Sequence, residues 1–363
     1  MKKILSVLLV LTMLFSLAAC ADSSNTSSTT PSSSEETSSV VSETSSAASS
    51  ETSSEEASSE TSSEDTAEKK DVNVFTLKGP TGMGMVQLME NAEAGTAAHN
   101  YNFSLVGAPT DVVAAISSCS ADIAAVPVNV ASTLYNKTSG NVQVLGINTL
   151  GVLYILSNTE IESIEDLKGK TIYSAGQGAT PEFVLNKVLS ENGIDPAADV
   201  TINFLAEHSE VIAQAAAGTA EIVLLPEPNV TALLKKDIGF SIAFDMTEEW
   251  GKVCDADLAM GCVIARKDYA EANPDVITDF LAEYAASVEF VNNDAAAAEA
   301  IAKYEIVPAA PVAAAAIPTC NIVLITGAEM QAIMVENLTV LHESNPAIIG
   351  GALPSEDFYY IAD

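Results

Sequence analysis

From residue 71 to residue 244, short apolar runs alternate with segments whose apolar positions recur at helical spacing. Asn73–Leu77, Tyr101–Val106, Ile123–Val126, Val142–Ile147 and Val152–Leu156 read as strands. Thr171–Ser174, Val200–Phe204, Ile222–Leu225 and Ser241–Phe244 continue the series. Helical patterns fall between most of them, the first from about Met83. Such alternation predicts an α/β fold with mostly parallel sheets flanked by helices. After Arg266 the pattern turns mainly helical, over Pro274–Val291, Ala295–Tyr304, Pro308–Ile317 and Ala328–Glu343.

One pattern occurs twice. Thr110-Asp111-Val112-Val113-Ala114 matches Ser209-Glu210-Val211-Ile212-Ala213, and Ala121-Asp122-Ile123 matches Ala220-Glu221-Ile222. Pro127 then matches Pro226, all at an offset of 99 residues, and one extra residue brings Asn129-Val130 against Asn229-Val230. Upstream, each copy has a strand, a glycine loop and a helix, with Gly79-Pro80-Thr81-Gly82 in the first and Gly176-Gln177-Gly178-Ala179-Thr180 in the second. The repeat predicts two related lobes. Thr110 and Ser209 are placed as hydroxyl caps, with Asp111 and Glu210 at the positive end of the helix dipole. Pro127 and Pro226 stop strands at their carboxyl ends, where open α/β sheets hold ligands. Six loops are therefore expected to line one cleft: Gly79–Gly84, Gly107–Thr110, Pro127–Val130, Gly176–Thr180, Glu207–Ser209 and Pro226–Asn229.

The start of the chain reads differently. Lys2 and Lys3 precede an apolar run from Ile4 to Leu17, the layout of an export signal and too short for a confident membrane span. The run ends in Leu17-Ala18-Ala19-Cys20, which resembles a bacterial lipobox and implies cleavage before Cys20 and lipidation there. Residues 1–19 are the expected signal peptide, and 20–70 the lipidated cysteine and a tether of Ser, Thr and Glu. From residue 21 to 70 it carries 11 acidic and 2 basic residues and almost no large apolar side chain, so disorder is expected.

Composition removes several functions. The chain has 15 Lys+Arg against 49 Asp+Glu, a net charge of −34, and no basic stripe to meet nucleic acid. Its single arginine, Arg266, is expected to be exposed and cannot supply an anion clamp. Cys119, Cys254, Cys262 and Cys320 lack zinc spacing, and only His99, His208 and His342 could assist. A Cys254–Cys262 disulfide stays open beside the preferred reading of buried free thiols. No cofactor and no metal are called for. Neither a G-x-S-x-G nor a phosphate-loop pattern is present, so no catalytic residues are assigned.

Leu167-Lys168-Gly169-Lys170-Thr171-Ile172 before a glycine-rich turn resembles the opening of the second lobe in solute-binding proteins of ABC importers. Ala220-Glu221-Ile222 and Leu225-Pro226-Glu227-Pro228 resemble one branch, the nitrate, taurine, alkanesulfonate and thiamine-precursor binding group. The resemblance runs from about Asp71 to Tyr360. It implies a two-lobe type II periplasmic-binding fold with two crossovers, near Leu156–Glu160 and Leu258–Ala265. Lobe one would be 71–156 plus 259–363, and lobe two 157–258. It further implies a monomeric lipoprotein, held outside the cell membrane by its lipid. Such a protein closes on a small molecule and delivers it to ABC permease and ATPase subunits. In that branch an aromatic often precedes Glu-Pro; here Leu225-Pro226 stands in its place, so the resemblance implies that a stacking contact on the ligand is absent. The same architecture also resembles dehydratase-like enzymes of menaquinone synthesis, and an accessory ligand-sensing protein is a third possibility.

Candidate ligand contacts follow from the loops. The backbone N–H groups of Thr81, Gly82 and Met83, and of Ala179 and Thr180, suit carboxylate, sulfonate or carbonyl oxygens. Glu227 between two prolines suits an amine or a ring N–H, or is a solvated loop acid. Asn129 offers a donor and an acceptor, or caps the helix at Val130. Gln177, Thr149 and His208 are weaker candidates. Met83, Met85 and Met260 could line an apolar wall, and Tyr154 and Trp250 could pack on a ring, although core packing is the default for all five. The acidic field favours a neutral or cationic nitrogenous solute over an anion; a sulfonate or nitrate is the second choice.

Overall fold

The computed structural model describes residues 68–361; the expected export signal, Cys20 and the expected tether as far as residue 67 lie outside them. Eleven strands are present among the described residues: β1 (Asp71–Leu77), β2 (Asn100–Val106), β3 (Ile123–Pro127), β4 (Val142–Leu150), β5 (Leu153–Ser157), β6 (Thr171–Ala175), β7 (Thr201–Leu205), β8 (Ile222–Pro226), β9 (Ser241–Asp245), β10 (Ala259–Arg266) and β11 (Ile322–Ile325). The helices of the first lobe's repeat are α1 (Pro80–Met83), α2 (Val86–Glu93), α3 (Pro109–Ser117) and α4 (Val128–Lys137). Those of the second lobe are α5 (Thr180–Glu191), α6 (His208–Ala216), α7 (Asn229–Leu234) and α8 (Met246–Gly251). The remainder are α9 (Lys267–Ala272), α10 (Pro274–Asn293), α11 (Ala297–Lys303), α12 (Ala310–Ala316) and α13 (Gly327–Ser344).

The strands form two sheets, ordered β11-β4-β10-β3-β1-β2 and β7-β6-β8-β5-β9. In the first, β1 lies between β2 and β3 and is parallel to both, while β10 runs antiparallel beside β3. In the second, β6 lies between β7 and β8 in the same sense, and β5 runs antiparallel beside β8. The duplicated sequence thus folds twice into one strand order. Ile123–Val126 and Ile222–Leu225 are buried along their length, as expected of central strands covered by helices on both faces. This is the two-lobe periplasmic-binding-protein fold.

Several local expectations are corrected. The first crossover falls at Gly151-Val152, not at Leu156–Glu160, because β5 pairs with β8 and β9 of the second sheet. The chain returns to the first sheet at β10. Thr110 and Ser209 do not cap their helices: the caps are Ala108 and Glu207, without side-chain cap bonds, and the hydroxyl residues sit inside the first turn. Arg266 is largely buried, its guanidinium 3.0 Å from both Asp122 and Asp268. Asp122 follows the first copy's helix and Arg266 ends β10, so the pair ties two strands of one sheet. All four described cysteines are free; Cys262 and Cys320 are buried, Cys254 is half-buried and Cys119 is exposed.

Both crossovers are held by asparagines of the helical C-terminal part. Leu150 donates its N–H to Asn321 O at 3.1 Å, and Asn321 Nδ2 donates to Gly151 O. Asn337 on α13 accepts from Ala259 N–H at 3.1 Å and donates to Asp257 O at 2.8 Å.

Candidate binding cleft

Between the two sheets lies an open cavity of about 370 Å³ at the carboxyl ends of the parallel strands. Each of the six predicted loops contributes to it, through Gly79, Pro80 and Thr81; Pro109; Pro127, Asn129 and Val130; Ala179 and Thr180; His208; and Pro226 to Asn229. The wall is proline-rich: Pro80 and Pro181 open helices on opposite sides, and Pro127 and Pro226 end the matching strands.

Of the predicted contacts, Thr81, Asn129, Thr149, Ala179, Thr180, His208 and Glu227 line this cavity. Gly82, Met83 and Gln177 do not. The N–H groups of Gly82 and Met83 are spent on Gly79 O, at 3.0 and 3.1 Å, and both residues are buried beneath the loop. Gly82 is a glycine because a Cβ there would collide with Leu77 O. Gln177 is at the exposed tip of its loop. Tyr154, Trp250 and Met85 are core residues, and Met260 reaches the cavity wall. Lys78, Val152, Leu153 and Gly261 also line it, from outside the six predicted loops. Lys78 is exposed at the rim and makes no ion pair among the described residues.

The polar groups differ in how far they are already satisfied. Thr149 is buried and donates to Asn148 Oδ1 at 3.1 Å. Thr180 Oγ1 reaches Asn129 Oδ1 across the cleft at 3.5 Å, the limit of a hydrogen bond. His208 Nδ1 is buried without a partner among the described residues, and burial pushes its imidazole below the ordinary value, with Glu207 opposing.

Glu227 is the most constrained. It is 3% exposed, directly after β8, and its peptide bond to Pro228 is cis. Its Oε2 accepts from Thr231 N–H at 3.1 Å, and its Oε1 lies 3.0 Å from Thr231 Oγ1 and 2.8 Å from Thr319 Oγ1. Burial pushes its carboxyl above the ordinary range, outweighing the hydrogen bonds that lower it. Thr319 precedes β11 in the first lobe, and its carbonyl accepts from Tyr154 OH of β5 at 3.1 Å. Sequence reasoning had no signal for this contact, because Glu227 and Thr319 are 92 residues apart.

A family model described as NMT1/THI5 like matches residues 109–298. The Bacillus subtilis (strain 168) protein "Putative binding protein YtlA" is 28% identical over 145 residues, which are 39% of this chain and 42% of that protein. The alignment thus spans under half the length of that relative. Among solved structures, an ABC transporter from Parabacteroides distasonis superposes with a TM-score of 0.69 at 21% identity, covering 80% of this chain and 98% of the other. The periplasmic aliphatic sulphonate binding protein SsuA from Escherichia coli superposes with a TM-score of 0.67 at 17% identity, covering 81% and 92%. The likeness is one of fold.

Proposed function

The chain belongs to the NMT1/THI5-like family, and from that premise we propose that it is the solute-binding component of an ABC importer. One observation carries this reading: a single cavity takes its lining from equivalent loops of both duplicated halves. A solute touching both lobes stabilises the arrangement in which they meet, and the two short crossovers are the natural hinges. The closed form is then the species that a permease and its ATPase subunits receive. Lipid on Cys20 and the acidic tether would keep the monomeric domain at the outer face of the membrane with room to turn.

The solute class we favour is a small nitrogenous compound resembling a thiamine precursor. Glu227, Asn129 and Thr180 offer acceptors and donors to a ring edge or an amide, while proline and methionine cover its apolar part. Lys78 at the rim supports a second reading, a sulfonate with its charge near that ammonium. Titration calorimetry with panels of both classes tests the choice. Binding of nitrogenous solutes that weakens at least tenfold in Glu227→Ala is expected. Tight sulfonate binding that is indifferent to Glu227→Gln rejects the first class, and no binding of either class rejects both.

A further inference from the structure

Thr319 Oγ1 lies 2.8 Å from Glu227 Oε1 and 3.0 Å from Ala316 O. A hydroxyl has one proton to give, a carbonyl oxygen only accepts, and an ionised carboxylate only accepts. With Glu227 ionised, Thr319 can serve one neighbour and must face the other lone pair to lone pair. A proton on Oε1 removes the conflict. Oε1–H then donates to Thr319 Oγ1, whose own proton goes to Ala316 O. Oε2 still accepts the Thr231 N–H, and Oε1 still accepts the Thr231 hydroxyl.

We propose that Glu227 stands in the cleft at neutral pH as an uncharged carboxylic acid donating to Thr319, and that Thr319 is the positioning residue that keeps it so.

The surroundings agree. On β5, Tyr154 lies near Glu227, and on the segment before β11, Cys320 does; burial above all holds both against ionisation, and a negative charge on Glu227 would add to that, so neither supplies a compensating positive charge. Asp245 and Glu248 bear on the same tyrosine and add negative charge, not positive. Lys78 and His208 line the same cavity, yet neither forms an ion pair with Glu227 among the described residues. Burial also raises the carboxyl. Among the described residues no cation pairs with the charge that ionisation would create, so desolvation outweighs the hydrogen bonds of Thr319 and Thr231 to the ionised form.

A consequence for the solute rests on the solute-binding reading. An uncharged Glu227 gives the cleft one group able both to donate and to accept. Neutral solutes with amide or ring-nitrogen edges then bind without a change of protonation. A cation seated on Glu227 instead requires the acid to lose its proton to solvent, one proton per cation bound, and pays for that loss at neutral pH.

The closing experiment uses no solute, so it fails or succeeds apart from the transport reading. The protein is labelled with ¹³C at the glutamate carboxyls, and the Glu227 resonance is identified by its loss in Glu227→Gln. The expected resonance is that of a protonated acid at pH 7. In Thr319→Val the acid O–H loses its acceptor, so the titration midpoint falls by about one pH unit, the worth of one neutral hydrogen bond. Thr319→Ser restores it. An ionised Glu227 at pH 7 in the unsubstituted protein overturns the proposal. So does a midpoint that rises in Thr319→Val, since that is what loss of a donor to a carboxylate produces.

Discussion

The two halves carry the same strand–loop–helix at the cleft, yet use it differently. In the first lobe, β3 ends at Pro127 and α4 starts at once, leaving Asn129 half-buried with weak bonds at 3.5 Å to Ile348 O and Thr180. In the second, one additional residue turns the same loop into Pro226-Glu227-Pro228 and sets a carboxyl under three contacts. A single insertion after duplication therefore divides the labour: one lobe shows an adaptable amide, the other a fixed acid. The glycine loops diverge likewise. Gly82 of the first is needed for space beside Leu77 O, whereas Gly178 of the second has open space but a φ of +73°.

Substitutions can break or sharpen this contrast. The largest effect is expected from Gly82→Ala, which forces a methyl against a backbone carbonyl and should cost about 3 kcal/mol in urea unfolding; Gly178→Ala should cost about 1 kcal/mol, for its left-handed backbone alone. Equal costs would erase the distinction. Glu227→Ala should cost about 2 kcal/mol, because the buried Thr231 N–H and hydroxyl lose their acceptor and Thr319 Oγ1 loses its partner, while Asn129→Ala should stay within about 0.5 kcal/mol. The pH dependence is subtler. A carboxyl raised in the folded state stabilises fully below its unfolded value, and that contribution drains away as pH climbs from about 4.5 through the raised folded value. The slope is at most about 1.4 kcal/mol per pH unit, and Glu227→Gln should flatten it. His208, lowered by burial, works oppositely: its contribution is present above 6.5 and is lost as pH falls through the lowered value. Thermal melts of Glu227→Gln and His208→Gln between pH 4 and 8 separate the two.

Much of the architecture was legible because strands such as Ile123–Val126 are continuous apolar runs closed by proline, and because the repeat fixed which loops are equivalent. Local signals could not assign β5 to a sheet: Leu153–Ser157 is apolar enough for either, and only pairing with β8 decides it. β11 was missed since four residues between helices carry no distinctive period. Thr110 is no cap because Pro109 already occupies the helix start ahead of it, and Ser209 is none because α6 starts at His208. At the cleft, the loops bring together most of the predicted residues. Gly82 and Met83 failed because a four-residue turn consumes its own donors.

The proline-studded wall has a thermodynamic corollary. Imino acids present no amide hydrogen, so Pro80, Pro109, Pro127, Pro181, Pro226 and Pro228 offer water few handholds along the cleft. Water against so donor-poor a wall is weakly held as a rule, and its displacement by an apolar group is favourable. Uptake should consequently carry a negative heat-capacity change, with calorimetric heat growing more exothermic on warming.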